Sequence, residues 1–265
     1  MSIQLTWPEP FIALVTIDQP ERRNALGPDE FFGLARCWNQ LTQDPQVRCI
    51  VVTGRGEQAF CSGAHLGADF STVPDVDDMV DRALLKTRLL AKPLIAAVNG
   101  HCVAGGFELM LSSDLRVASE NALLGLPEVR WGILPSGGGA MKLIDQIGYA
   151  RAMQLMLTAE LITARKALEF GLLNSVVPAG EVLEAALAFA RKIAANSPLA
   201  VTMTKQAALT RRTQAWQSME SEERDRVKIV RGSPDAQIGR RAFLQKIEPL
   251  YPSGPGAWRG QGETF

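Results

Sequence analysis

Two glutamates stand in glycine-rich surroundings near the middle of the chain, and both could take part in proton transfer. Glu108 lies inside the apolar stretch GHCVAGGFELML (100–111). An unpaired buried carboxylate is costly and its pKa rises in response, so this setting indicates either a paired group or one that serves a reaction. Glu128 lies in LGLPEVRWGILPSGGGA (124–140), directly after a proline, where a solvated turn residue is the more common outcome.

Two loops of small residues could supply backbone hydrogen-bond donors beside these carboxylates. In FCSGAHL (60–66), a glycine precedes Ala64, so the N–H group of Ala64 can be exposed to a ligand. Gly105 stands at a predicted helix start, where unpaired N–H groups and the helix dipole favour an anion. Two donors facing one oxyanion, with two carboxylates nearby, would stabilise an enolate and move protons at the adjacent carbons.

Three other sites are less well supported by the residues. GRGEQA (54–59) matches the dinucleotide fingerprint, but FCSG (60–63) interrupts the helix that the fingerprint requires, which favours a strand-ending turn. The chain has two histidines and no G-x-S-x-G motif, which disfavours a serine triad. A zinc site is also disfavoured, because the candidate ligands lack zinc-finger spacing; they are Cys61, His65, His101 and Cys102. We therefore predict no metal.

Composition and charge are those of an ordinary globular protein. A chain of 265 residues suits one large domain, or a core with an appendage. The formal net charge is zero, so no global field attracts nucleic acid or an anionic membrane. The N-terminus does not resemble a signal peptide, no apolar stretch reaches the length of a membrane span, and the four cysteines show no paired spacing. These features predict a cytoplasmic protein.

The order of predicted elements indicates an α/β protein. Strand-like and helix-like runs alternate in the first half of the chain, which favours largely parallel pairing. The predicted strands are 11–17, 48–54, 94–98 and 114–119, and the predicted helices are 28–41, 79–90 and one that starts at 105.

The second half of the chain is predicted to be almost entirely helical. The helices are placed at 140–148, 150–159, 163–171, 181–197, 199–231 and 234–247, followed by a flexible tail at 251–265. We predict a core at 1–197, and a C-terminal region at 198–265 that forms a helical lid, an oligomerisation surface and the tail.

Taken together, the motifs resemble the enoyl-CoA hydratase/isomerase (crotonase) superfamily. The resemblance covers about residues 10–250 and is specific in combination, although each motif alone is weak. The matching segments are IDQPERRNAL (17–26), AFCSGAHL (59–66), KPLIAAVNGHCVAGGFEL (92–109), LGLPEVRWGILPSGGG (124–139) and LTAELITARKALEFGLLNSVVP (157–178). The resemblance implies a spiral of repeated ββα units with C-terminal helices that support trimerisation.

The resemblance also implies residue roles. The oxyanion-hole donors fall on the N–H groups of Ala64 and Gly105, and the two hydratase carboxylates on Glu108 and Glu128. In hydratases of this family the two glutamates hold one water, which adds to the β-carbon while the α-carbon is protonated. We assign Glu128 the closer role in that protonation.

Further positions are implied to bind the acyl-CoA substrate. They are Arg22, Arg23, Ala25, Leu26, His65, Leu66, Gly106, Phe243 and Lys246. The last two reach coenzyme A from a neighbouring subunit in several members, which suggests a homotrimer or homohexamer. The apolar spacing of Leu183, Ala186, Leu187 and Ala190 is compatible with such assembly, but packing on the α/β core explains most of it.

The chain departs from the family pattern at two positions. His65 stands where aspartate is usual, and Gly67 replaces a longer residue. The resemblance also implies that GADFSTVPDVDD (67–78) shapes the acyl pocket. We predict an enoyl-CoA hydratase without a separate cofactor or a nucleic-acid or membrane partner. The alternatives are enoyl-CoA isomerisation, carnitinyl-CoA-type dehydration and, less favoured, a non-catalytic RNA-binding homologue.

Overall fold

A six-stranded sheet forms the centre of the protein. The computed structural model describes residues 2–251, with all side chains in that range except those of 211–215, 217 and 218. The strand order is β1-β2-β3-β5-β7-β10, and every pairing is parallel except that of β1 with β2. The strands are β1 (Ile3–Glu9), β2 (Ile12–Ile17), β3 (Cys49–Gly54), β5 (Leu94–Val98), β7 (Leu115–Ser119) and β10 (Ser175–Val177).

A second sheet of short strands lies alongside the first and leads into the functional loops. Its order is β4-β6-β8-β9, parallel except for the antiparallel pair of β8 and β9. The strands are β4 (Ala59–Cys61), β6 (His101–Val103), β8 (Leu123–Gly125) and β9 (Ile162–Thr163). The sequence predictions located none of these strands, since two or three residues carry too little periodicity to be recognised.

Nine helices surround the sheets in the part of the chain that the model describes. Most follow the predicted positions, and the predicted α/β class is confirmed. They are α1 (Pro28–Gln43), α2 (Val76–Leu84), α3 (Gly105–Leu111), α4 (Gly139–Ile147), α5 (Tyr149–Thr158), α6 (Ala164–Glu169), α7 (Val182–Ala194), α8 (Pro198–Arg231) and α9 (Pro234–Gln245).

Two element predictions are corrected by the structure. The helix expected at 79–90 begins earlier, because Asp75 caps it through a hydrogen bond from Asp78 N (2.9 Å), and it ends at Leu84. It stops there because Leu85 adopts a left-handed conformation (φ 55°). Strand β1 has no counterpart among the predictions, because it is an edge strand whose residues are mostly half-exposed or exposed.

Helix α7 covers one face of the large sheet. Its buried residues include Ala186, Leu187 and Ala190, which pack with strand residues such as Val51 and Ile95. Most of the apolar surface on α7 is therefore used inside the chain, whereas Leu183 is 37% exposed. The larger core cluster lies on the opposite face of the sheet and contains α1, α2 and α3.

Two further observations concern the chain as a whole. Among the described residues, no helix is both long and apolar enough to cross a membrane. The tail predicted for 251–265 lies outside the described residues except for Tyr251. The division at residue 197 stays a prediction.

Candidate active site

One cavity of about 580 Å³ brings together all four residues to which proton transfer and oxyanion binding were assigned. Ala64, Gly105, Glu108 and Glu128 all line it. Ala64 follows β4, Gly105 and Glu108 lie in α3 after β6, and Glu128 begins a short 3₁₀ helix after β8. Three neighbouring strands of the second sheet therefore bring these residues to one space.

The backbone before Ala64 is fixed by a neighbouring segment. Gly63 has a φ of 84°, a conformation that glycine adopts without steric cost. Leu26 N–H donates to Gly63 O (2.8 Å), and His65 N–H donates to Leu26 O (2.8 Å). These bonds hold both neighbours of Ala64, while none of the hydrogen bonds found between described residues uses the N–H of Ala64 itself.

The backbone before Gly105 is strained. Ala104 has φ 51° and ψ −129°, a conformation rarely seen outside glycine, and it immediately precedes α3. Such strain persists only when surrounding contacts fix it, and it is common at functional sites. Because Gly105 is the first residue of α3, its N–H has no acceptor within the helix.

The two candidate donors lie against one another. A Cβ atom built on Gly63 would lie 2.9 Å from Gly105 N, and one built on Gly105 would lie 3.8 Å from Ala64 N. This close approach explains why both loops consist of small residues. It places the N–H groups of Ala64 and Gly105 at the wall of one cavity, as an oxyanion hole requires.

Glu108 is held as a hydrogen-bond acceptor from its buried side. It is 3% exposed, and its Oε1 accepts from Gly137 N (2.7 Å) and Gly139 N (2.8 Å). Burial raises the pKa of Glu108 to about 7, while the two backbone donors and the cation of Lys142 act in the opposite direction.

The loop that supplies these donors must consist of glycine. A Cβ atom on Gly137 would lie 2.7 Å from Glu108 Oε2, and one on Gly139 would lie 2.9 Å from Oε1. Larger residues at either position would push the carboxylate away from the amides. The GGG run in the sequence therefore serves the placement of Glu108.

Glu128 has a different environment although it is equally buried. It begins a short 3₁₀ helix, Glu128–Trp131, and is 4% exposed. Its Oε2 is buried and has no hydrogen-bond partner among the described residues. Burial, reinforced by the negative charge of Glu108, raises the pKa of Glu128 well above its usual value.

The two environments separate the chemical roles of the carboxyl groups. Two backbone donors favour the ionised form of Glu108, and the missing partner favours the neutral form of Glu128. When their surroundings favour different protonation states, two titratable groups can serve as one base and one acid.

Comparison with known proteins places this arrangement in a family. The family model described as enoyl-CoA hydratase/isomerase matches residues 9–254. An enoyl-CoA hydratase of Mycobacterium tuberculosis is 39% identical over 251 residues, which cover 90% of this chain and 92% of that protein. The chain belongs to the enoyl-CoA hydratase/isomerase family.

Two other relatives extend the range of substrates named in this family. An (E)-benzylidenesuccinyl-CoA hydratase of Thauera aromatica is 34% identical, and the match covers 91% of this chain and 95% of that protein. The solved structure of a carnitinyl-CoA hydratase from Mycobacterium avium superposes with a TM-score of 0.85 at 34% identity, covering 95% and 98% of the two chains. The resemblance and the fold predicted from the sequence are confirmed.

The family positions expected to bind substrate divide into two groups. Six of them line the cavity, namely Arg22, Arg23, Ala25, His65, Leu66 and Phe243. The other three lie outside its lining. Leu26 is fully buried and pairs with Ala64 in a parallel bridge, whereas Lys246 ends α9 in a left-handed conformation. Gly106 packs so closely on β4 that its Cβ would lie 2.2 Å from Cys61 O.

Phe243 contributes to the cavity of its own chain. Its ring packs edge-on against Trp131, with centroids 5.1 Å apart. Helix α9, which carries Phe243, packs against the 3₁₀ helix of Glu128. That this position also reaches coenzyme A in a neighbouring subunit, as the resemblance implies, stays a prediction.

One residue that positions the cavity lining, Asn24, was missed by the sequence predictions. Asn24 is fully buried with a φ of 55°; its side chain donates to Ala59 O (2.7 Å) and accepts from Gln19 N (2.9 Å). It thereby fixes the turn that carries Arg22 and Arg23. The presence of asparagine between charged and apolar residues was the available signal, since asparagine tolerates left-handed backbone.

The candidate zinc ligands are not assembled into a site. Among residues 2–251, no group of three or more His, Cys, Asp or Glu side chains is placed to hold a metal ion. His65 lines the cavity, while His101 Nδ1 accepts a hydrogen bond from Leu123 N (3.1 Å). Burial raises the pKa of the Cys61 thiol to about 12, which disfavours the thiolate that a metal would need.

Proposed function

We propose that this protein is an enoyl-CoA hydratase that adds water reversibly to a trans-2-enoyl-CoA thioester. The proposal rests on two buried glutamates that line one cavity together with two candidate backbone donors. Glu108 accepts two backbone hydrogen bonds, whereas Glu128 Oε2 has no partner among the described residues. Isomerisation of a double bond needs one group to move a proton, whereas hydration uses a base for water and an acid for the α-carbon.

The thioester carbonyl is the group that the two backbone donors would bind. Ala64 and Gly105 line the cavity side by side, and we propose that their N–H groups donate to the thioester oxygen. Negative charge develops on the carbonyl oxygen when the β-carbon is attacked. Fixed donors at that position stabilise the enolate more than the substrate, which lowers the barrier.

The two carboxyl groups complete the addition. Ionised Glu108 accepts a proton from water as the water oxygen bonds to the β-carbon, and the π electrons move into the enolate. Neutral Glu128 then donates its proton to the α-carbon. Transfer of a proton from Glu108 to Glu128 restores both groups, and the net reaction adds one water molecule.

The remainder of the cavity suits the two ends of an acyl-CoA. Arg22 and Arg23 are exposed residues of the lining and are proposed to meet the phosphates of coenzyme A. A second space of about 350 Å³ adjoins the first cavity and shares part of its lining, including Ala64, Leu66, Phe31, Val80 and Ile133. The walls that belong to the second space alone include Phe70, Val76 and Val227, so its lining is mainly apolar.

These walls favour an acyl group that is apolar beyond the reacting carbons. Phe70 and Val76 belong to the segment 67–78, which the sequence predicted to shape the acyl pocket. Phe31 and Phe70 meet edge to face with centroids 6.2 Å apart, so the pocket presents aromatic surface. We propose that chain length and branching are selected here.

The proposed chemistry also bears on cofactors, assembly and location. The donors and carboxyl groups account for every proton in the reaction, so we propose no cofactor besides the coenzyme A of the substrate. A homotrimer or homohexamer and a cytoplasmic location remain proposals that rest on the family resemblance and on the unpaired cysteines.

A substrate panel tests the proposal. Purified protein is incubated with trans-2-enoyl-CoA thioesters of increasing acyl length, and products are separated by chromatography. We expect 3-hydroxyacyl-CoA to form from at least one member, with no product from Glu108→Gln at the same concentration. Migration of the double bond without uptake of water would contradict hydration and support the isomerase alternative.

A further inference from the structure

Lys142 of α4 is fully buried and lies behind the Gly137–Gly139 loop that binds Glu108. It is not part of the cavity lining. We propose that Lys142 is a positioning residue: its ammonium group fixes the Gly137–Gly139 loop and keeps Glu108 ionised for the reaction. The proposal rests on the hydratase function proposed above, because it assumes that Glu108 works as the base.

The hydrogen-bond partners of Lys142 fit an ammonium group. Nζ lies 2.8 Å from Leu85 O, 2.6 Å from Ser112 Oγ and 3.5 Å from Gly137 O. The Ser112 hydroxyl is placed to donate to Leu84 O (2.6 Å) or Glu108 O (3.0 Å), so its oxygen accepts from Lys142. Three acceptors match the three donors of a protonated lysine, whereas a neutral amine would leave its lone pair unmatched.

The same loop faces Lys142 with a carbonyl and Glu108 with amides. Gly137 O points to Nζ, while the N–H groups of Gly137 and Gly139 both donate to Glu108 Oε1. Gly138, between them, has a φ of 91°, and a Cβ on it would lie 3.2 Å from Lys142 Cε. Lys142 therefore supports the loop at the residue that separates the two donors.

Two carboxylates near Lys142 are paired with other cations, and Lys142 forms no salt bridge with any described residue. Glu223 of α8 forms a salt bridge with Lys86 (3.0 Å). Asp81 of α2 accepts from Thr87 N (2.7 Å) and pairs with Arg88 (3.4 Å). Lys142 instead has neutral oxygens and the ring of Trp216, whose centroid is 5.8 Å from Nζ.

The charge of Lys142 acts on Glu108 across the loop. Burial and the negative charge of Glu223 favour the neutral form of Glu108, and the backbone donors and Lys142 favour the ionised form. Burial, and to a smaller extent the charge of Lys86, lowers the pKa of Lys142 to about 7, while Glu108, Asp81 and Glu223 act in the opposite direction and favour the ammonium form. Removal of the cation would raise the pKa of Glu108, so the base would stay protonated to a higher pH.

The test compares Lys142→Met with Lys142→Arg. Methionine keeps an unbranched chain of similar volume without the charge, whereas arginine keeps the charge. For Lys142→Met we expect kcat at pH 7 to fall about 5-fold, KM to change little, and the acidic limb of the pH–kcat profile to move up by about one pH unit from the Glu108 pKa of about 7. Lys142→Arg should keep the wild-type acidic limb.

A direct titration separates this proposal from the proposed function. Carbon-13 labelling of glutamate carboxyl groups, assigned with Glu108→Gln, reports ionisation of Glu108 even if no enoyl-CoA is turned over. We expect its midpoint to rise in Lys142→Met. An unchanged midpoint and acidic limb, with kcat lowered equally at every pH, would overturn the proposal by showing a purely structural role.

Two more variants guard against misfolding of Lys142→Met. Ser112→Ala removes the closest acceptor of Nζ, weakens the ammonium form, and should move the Glu108 midpoint upward by a smaller amount; no movement would overturn the proposal. Lys205→Met is the matched control, since Lys205 is also nearly buried and bonds with Asp114 (2.7 Å) and Lys92 O (2.7 Å) rather than with this loop. It should lower stability and leave the midpoint in place, and a shift there as large as in Lys142→Met would contradict a specific role.

Discussion

Glu108 and Glu128 line one cavity and are 3% and 4% exposed, respectively, yet the protein supplies hydrogen-bond donors to one carboxyl group and leaves an oxygen of the other without a partner among the described residues. Glu108 Oε1 receives two backbone N–H groups, whereas Glu128 Oε2 is without a hydrogen-bond partner among the described residues. Burial alone would make both groups acids. The glycine loop favours the ionised form of Glu108 alone, and we propose that this difference assigns the base and the acid for the addition of water.

The largest effect is expected from neutralising either carboxyl group. Glu108→Gln and Glu128→Gln should each lower kcat by at least about 10²-fold, because each removes a proton-transfer step. KM should change little, since the loss falls on the transition state. Steady-state kinetics on the best substrate of the panel measure both values, and a variant with wild-type turnover would show that its glutamate has been misassigned.

The glycine loop can be altered without touching either glutamate. Gly139→Ala brings a methyl group within 2.9 Å of Glu108 Oε1, so the carboxylate must move away from its amide donors. We expect kcat to fall by about 10-fold or more, since a misplaced base loses most of its advantage. Gly180→Ala is the control, because a Cβ there has no neighbour within 4 Å. Equal kcat in the two variants would contradict the role of the loop.

The stability of Glu128→Gln should depend on pH in a defined direction. The pKa of Glu128 is raised in the folded protein, so its contribution to stability is complete below about pH 4.5 and is lost as the pH rises through the folded value. Glutamine does not ionise. The Tm of the variant minus the Tm of the wild type, measured by calorimetry, should therefore become more positive from pH 5 to pH 8. A value that becomes more negative with pH would show that Glu128 is ionised in the folded state.

The smallest effect on turnover is expected at His65, which lines the cavity but contacts neither glutamate through a hydrogen bond found in the described residues. His65→Ala should leave a folded, active enzyme with altered preference among acyl groups. The chelator EDTA should leave the activity of wild-type protein unchanged. Inactivation by EDTA that zinc reverses would mean that the carboxyl pair alone does not explain the reaction.

The sequence could predict those parts of the site that depend on a short, contiguous run of residues. Glu108 stands out because a charge interrupts an apolar helix, and Gly63 and Gly105 stand out because small residues there precede unpaired amides. Strand β3 is equally easy to predict, because all of its residues are buried and such a strand forms a nearly continuous apolar run in the sequence.

The rest depends on contacts between distant segments. Lys142 is an ordinary helical lysine in the sequence, and only the fold places it behind Gly137 and under Ser112. Strands β4 and β6 have three residues each and are stabilised by their neighbours rather than by their own pattern. The difference in hydrogen-bond partners between the two glutamates also depends on such tertiary contacts, so no local sequence pattern predicts it.

The central claim is that these two buried glutamates ionise separately, and carbon-13 titration of their carboxyl groups in the ligand-free enzyme tests it most directly. With Glu108→Gln and Glu128→Gln used for assignment, we expect Glu108 to ionise with a midpoint near its pKa of about 7 while Glu128 still carries its proton at that pH. Ionisation of Glu128 before Glu108, or of both groups together near pH 4.5, would contradict the division of the pair into a base and an acid.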